Sequence, residues 1–89
     1  MGESVDSADG VLRVTLAAFD PLRGRGQVRI EELSRGPGRY RVNVRFLSGG
    51  ESAIDYKMGD AARRRSPLFE IGTTVKNDEV AAIEIAQLE

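Results

Sequence analysis

Two observations predict an all-β fold of five to six antiparallel strands, arranged as a small sandwich or barrel. Apolar and polar residues alternate with period two over most of the chain. Clusters of glycine, proline, serine and aspartate interrupt that alternation roughly every ten residues, as turns between short strands do.

Each element follows in order. Residues 1–10 carry Glu3, Asp6 and Asp9 and no apolar run, and are expected to be a flexible acidic tail. Residues 11–89 are then a single β domain. Leu12, Val14, Leu16 and Ala18 alternate with Arg13, Thr15 and Ala17. Asp20-Pro21 ends this strand, because proline has no N–H for a ladder and restricts the residue before it. Gly24 and Gly26 mark the next turn, and Val28 and Ile30 form one face of a short second strand. Ser34, Gly36, Pro37 and Gly38 are the strongest turn signal in the chain.

The clearest strand follows, with Tyr40, Val42, Val44 and Phe46 against Arg39, Arg41, Asn43 and Arg45. Gly49-Gly50 turns into a strand with Ile54, Tyr56 and Met58 on one face. A polar stretch from Gly59 to Arg65 closes at Ser66-Pro67. A fifth strand is expected with Phe69, Ile71, Thr73 and Val75 on one face. The end of the chain admits two readings. As a strand, Ala81, Ile83 and Ile85 share a face; as a helix capped by Asp78, Ala81, Ile85 and Leu88 do. Its β-branched residues favour the strand.

Composition excludes several chemistries. The 89 residues include no cysteine and no histidine, which removes disulfides, thiolate zinc sites and histidine-assisted nucleophiles. The carboxylates Asp20, Glu31, Glu32, Asp55 and Asp60 show no pairing pattern for acid–base work. The reading is therefore not an enzyme, and no cofactor or metal is implied. The net charge of −1 creates no global field for a polyanion. No secretory signal is evident, and the longest apolar stretch falls far short of the roughly 20 residues a membrane helix needs. A cytoplasmic protein without membrane contact is expected.

The ordered set of turn and strand signals resembles the filamin-type immunoglobulin-like repeat over residues 11–75. The residues that carry the resemblance are Asp20-Pro21, Val28 and Ile30, then Gly38, Tyr40, Gly50 and Ile54, then Tyr56, Gly59, Ser66-Pro67 and Phe69. The chain departs from that pattern at Ser52 and Leu68, and no source for two initial strands precedes Leu12. The resemblance implies an Ig-like sandwich that serves as a protein–protein interaction or scaffold module. The alternative is an unrelated five- or six-stranded β domain.

Filamin-like repeats accept an extended peptide between two strands, and the corresponding strands here hold Leu12, Val14, Thr15, Leu16, Val28 and Ile30. These form the first candidate site, either for a partner strand or for a second copy of the chain; ordinary core is the competing reading of the same apolar residues. The second candidate is basic. Residues 13–45 hold eight arginines against three acids, a balance of +5 (8 − 3). Arg39, Arg41 and Arg45 project from one side of one strand, and Arg63, Arg64 and Arg65 form a run. Such a face suits RNA, DNA or another polyanion, although no surface aromatic is interleaved to stack bases. A structural subunit of a symmetric assembly is the third reading.

Overall fold

In the computed structural model, which describes residues 3–59 and 68–88, the chain folds into seven strands and, among those residues, no helix. The strands are β1 (Ser4–Asp6), β2 (Leu12–Asp20), β3 (Arg25–Glu32), β4 (Arg39–Phe46), β5 (Glu51–Lys57), β6 (Leu68–Gly72) and β7 (Val80–Gln87). They form two antiparallel sheets, one ordered β1-β2-β3-β6 and the other β5-β4-β7. The all-β sandwich expected from the alternation is the fold observed.

Two elements differ from expectation, and one open alternative is resolved in favour of the strand. Residues 4–6 are not tail but a strand, in register Ser4↔Thr15 and Asp6↔Arg13. With one apolar residue, Val5, β1 is too short to show a period. The ambiguous C-terminal segment is strand β7, in register Val44↔Ile83 and Val42↔Ile85 on the open side of β4. A helix would have left the backbone groups on that side of β4 without partners. Strand β6 stops at Gly72, so Thr73 and Val75 lie in the connection to β7.

The four-plus-three division is that of an immunoglobulin constant-type domain, but the strand order differs. There the first, second, fifth and fourth strands share a sheet; here the first, second, third and sixth do. The chain crosses between the sheets after β3, β5 and β6. Two glycines permit the close approaches that this path needs. A side chain at Gly24, whose φ is +66°, would strike the Thr73 carbonyl, and one at Gly26 would strike the Ala18 carbonyl beside the irregularity between Leu16 and Ala18.

The core lies between the sheets. Leu12, Val14, Leu16, Val28, Ile30 and Ile71 face inward from one, and Tyr40, Val42, Val44, Phe46, Tyr56 and Ile83 from the other. Phe19 meets Phe46 at a ring separation of 5.6 Å near one end. Tyr56 meets the edge of Phe69 at 5.9 Å beside β6.

Three carboxylates tie the layers together. Tyr40 and Tyr56 are direct cross-strand partners on β4 and β5. The Tyr40 hydroxyl donates to Asp9 Oδ2 at 2.6 Å, in the turn between β1 and β2. The Tyr56 hydroxyl donates to Glu32 Oε2 at the end of β3, and the Gly59 N–H donates to the same oxygen at 2.8 Å. At the opposite end buried Asp78 accepts from the Ser48 N–H (3.1 Å), the Ser48 hydroxyl (2.5 Å), the Thr73 hydroxyl (3.1 Å) and the Glu79 N–H (3.0 Å).

These contacts set the acid–base behaviour. Hydrogen bonds from Ser7 and then Tyr40 hold Asp9 below the ordinary carboxylate range. Burial pushes Asp78 upward, but its four donors together outweigh that and leave it lowered. The bond to Asp9, with burial and the nearby carboxylate charge, raises Tyr40. The two aspartates therefore stabilise the fold fully above the unfolded value of about 4 and lose that contribution as pH falls through their folded values. Tyr40 acts in the opposite direction: its contribution is complete below about 10 and is lost as pH rises through the raised value.

Urea midpoints measured across pH should form a plateau that falls on both sides. Tyr40→Phe should flatten the alkaline fall, and the Asp9→Asn, Asp78→Asn pair should flatten the acid fall on a less stable protein. Tyr56→Phe leaves Glu32 without its phenol donor and should cost about 1–3 kcal/mol. Each kcal/mol corresponds to a loss of about 4–8 °C in thermal midpoint for a domain of this size.

Candidate functional site

The first candidate site does not exist as a groove. Leu12, Val14 and Leu16 lie on the inner face of β2, and Val28 and Ile30 on that of β3; all five are core residues. The two strands pair directly, Val14 with Ile30 and Leu16 with Val28. β1 occupies the other side of β2, and β6 the other side of β3. Both strands are interior to their sheet, β2 bordered by β1 at residues 13–15 and β3 by β6 at residues 25–29. Thr15 points outward, and its hydroxyl is 2.9 Å from that of Ser4 on β1. Alternation identifies which face is buried but does not say which strand is the edge, and that is why the sequence reading took β2 and β3 for edge strands.

The second candidate lies where it was expected, on the outer face of β4, and it is largely neutralised. β4 runs through the middle of its sheet, and both neighbours offer acids. Arg41 Nε is 3.0 Å from Asp55 Oδ1 on β5. Arg45 Nη2 is 2.8 Å from Glu84 Oε1 on β7, and its Nε is 3.7 Å from Glu51 Oε1 on β5. Asn43 Nδ2 also donates to Glu51 Oε1, at 3.0 Å. Arg39 is exposed at the end of the row, opposite Lys57. The face as a whole carries Arg39, Arg41, Arg45 and Lys57 against Glu51, Asp55 and Glu84, a balance of +1 (4 − 3). Arg63, Arg64 and Arg65 lie outside the described residues.

Four strands form the sheet edges: β1, β6, β5 and β7. They differ in fitness to accept another strand. β1 has three residues and β6 five. β5 has seven, three of them charged: Glu51, Asp55 and Lys57. β7 has eight, of which only Glu84 is charged, and that charge is engaged by Arg45. β7 contains no proline, glycine or lysine, the residues with which edge strands ordinarily discourage pairing. Its outward side chains Ala82 and Ala86 are small, while Ile83 and Ile85 face the core. One side of its backbone is paired to β4; among the described residues no strand is paired to the other side, although β1 lies near it.

Sequence reasoning placed no site on this strand. Residues 80–87 carry one charge, Glu84, and no proline or glycine.

The ion pairs of β4 are surface pairs, with side chains about half exposed. Glu84→Gln should therefore lower stability by about 0.2–1 kcal/mol, and added salt should shrink the difference between the two proteins. A larger loss in urea denaturation would mean that Glu84 organises the sheet beyond this pair.

No family model, curated protein or solved structure matches the chain.

Proposed function

We propose that the domain is a non-enzymatic protein–protein interaction module that extends its three-stranded sheet across β7, with a second copy of the chain supplying the added strand. The observation that carries this reading is the edge itself: eight residues, one engaged charge, and a row of backbone donors and acceptors on the free side. An edge of this composition without a partner is prone to pair with another chain.

The occupant follows from self-complementarity. In an antiparallel pair of identical strands each side chain meets one from the same sequence, and like charges directly opposite are destabilising. β5 meets such contacts in some registers: with Ala53 on the twofold axis Glu51 faces Asp55, and with Asp55 on the axis that residue faces itself. β7 avoids the conflict. With Ile83 on the twofold axis, Glu84 faces Ala82 of the copy; with Ile85 on the axis, it faces Ala86. Both arrangements join two three-stranded sheets into one of six strands (3 + 3). The resemblance to filamin-type repeats points to the same class of function, with the docking strand displaced to the end of the chain. Polyanion binding is less well supported, because Arg41 and Arg45 each have a carboxylate within 3.0 Å.

Mass measured by light scattering over a dilution series tests the proposal. The native chain should run as a dimer that dissociates on dilution. Ala82→Lys with Ala86→Lys puts lysines on the outward face of the edge and should weaken association about tenfold or more, with the monomer still folded. A native chain that stays monomeric at the highest concentration, or a double variant that dimerises as well as the native chain, overturns it.

A further inference from the structure

The sequence carries a strand signal further than the folded chain does. Phe69, Ile71, Thr73 and Val75 alternate with Glu70 and Thr74, and Thr and Val favour extended backbone. Yet β6 stops at Gly72, and residues 73–79 lead to β7. Val75 is left 44% exposed. Asn77 has a φ of +57°, in the left-handed region that residues other than glycine seldom adopt. To reach β7 within one chain, residues 74–77 thus give up both their strand preference and an ordinary backbone conformation.

The path they take is a diagonal. β6 is the edge of one sheet and lies near β5; β7 is an edge of the other and lies near β1. The connection therefore runs across the end of the sandwich, from one side to the other. Residues 74–77 are exposed along it. The Asn77 N–H donates to the Pro21 carbonyl at 3.2 Å, and the Val75 N–H donates to Thr73 Oγ1 at 3.2 Å.

Beyond this segment the contacts go to β4, to the turn that follows it and to the core. β7 pairs with β4 from Tyr40↔Gln87 to Phe46↔Val80. Asp78 accepts from the Ser48 N–H and hydroxyl, and the Leu47 N–H donates to the Glu79 carbonyl at 2.9 Å. Ile83 is buried between the sheets, with Val80 and Ile85 packed against the same core. A second copy of the chain offers the same β4, the same turn and the same core. Transfer of residues 78–87 to it re-forms these contacts, and what changes is the hinge.

We propose that β7 exchanges between two copies of this chain. Residues 74–77 straighten to continue β6, and residues 78–87 complete the three-stranded sheet of the other copy. Asn77 then leaves the left-handed region, and Val75 gains the extended backbone that its branched side chain favours. Among the described residues β7 is joined to the other strands by this connection alone, so a single hinge frees it. Exchange of an identical element is a low-cost route to a symmetric dimer, and a short hinge under strain invites it. The exchanged pair needs no contact along the open side of β7, so it is distinct from the sheet extension proposed above.

Two single-cysteine variants test the proposal, since the native chain has no cysteine. Asn43 and Glu84 are direct partners on β4 and β7, so exchange places residue 43 of one copy beside residue 84 of the other. Asn43→Cys and Glu84→Cys chains are mixed, unfolded in urea, refolded together at high concentration and oxidised. A disulfide-linked heterodimer is expected, and it should vanish when refolding is done at high dilution. Asn77→Gly removes the left-handed penalty and should lower the yield; Asn77→Val increases the penalty and should raise it, with a difference of about tenfold between the two. A heterodimer no more abundant than the homodimers of the separate variants overturns the exchange, and equal yields from the two Asn77 variants overturn the hinge. A native chain that is dimeric by light scattering yet gives no heterodimer keeps the pairing across β7 and loses the exchange, so the two readings fail separately.

Discussion

The relative placement of the two sheets depends on a pair of phenol–carboxylate hydrogen bonds, Tyr40 to Asp9 and Tyr56 to Glu32. The apolar core supplies most of the attraction between the layers, but hydrophobic contact is non-directional and tolerates sliding. A buried hydroxyl that must reach one oxygen does not. Tyr40 and Tyr56 are cross-strand neighbours in one sheet, and their acceptors lie at the β1–β2 turn and at the end of β3 in the other. Two fixed points at one end, with the Asp78 cluster at the other, leave little freedom for one sheet to rotate over its partner. Among the described residues no buried side-chain nitrogen or oxygen lacks a partner, so these polar groups reinforce the core without leaving desolvated atoms unpaired.

The same contacts explain why a three-residue strand persists at the start of the sandwich. β1 contributes one inward side chain, Val5. Alone it could not offset the entropy of ordering its backbone. The turn that follows is held by Ser7, whose hydroxyl accepts from the Leu12 N–H at 3.0 Å and donates to Asp9 Oδ1 at 2.6 Å. Asp9 is in turn held by Tyr40, so β1 is fastened at its end. Arg13 and Asp6 add a surface pair at 2.8 Å across the hairpin.

Much of the fold was legible in the sequence because its signals are local. Tyr40, Val42, Val44 and Phe46 alternate without interruption, and all four lie inward on β4. The Asp20-Pro21 and Gly49-Gly50 stops mark real turns. What stayed hidden was pairing, which is not local. Leu12 to Leu16 reads the same in an edge strand as in an interior one, and only the return of β1 and β6 closes the sides of β2 and β3. Val75 continued an apolar alternation, yet the chain leaves the sheet at Gly72 to pass beside Gly24. The arginines of β4 were correctly assigned to one face, but the acids that engage them come from residues 51–55 and from Glu84, on strands whose order the sequence does not display.

The pairing of β4 with β7 has a consequence for how the chain matures. Val42 meets Ile85 across a separation of 43 residues (85 − 42), whereas Val14 meets Ile30 across 16 (30 − 14). Contacts that close long loops form late, because the entropy of loop closure precedes their reward. As synthesis proceeds, β1 to β5 can assemble while one flank of β4 waits for the last strand to be made. During that interval the backbone groups on the vacant flank of β4 lack the strand that pairs them in the finished domain. The three-stranded sheet is therefore complete only once residues 80–87 have been made, long after the strand at its centre.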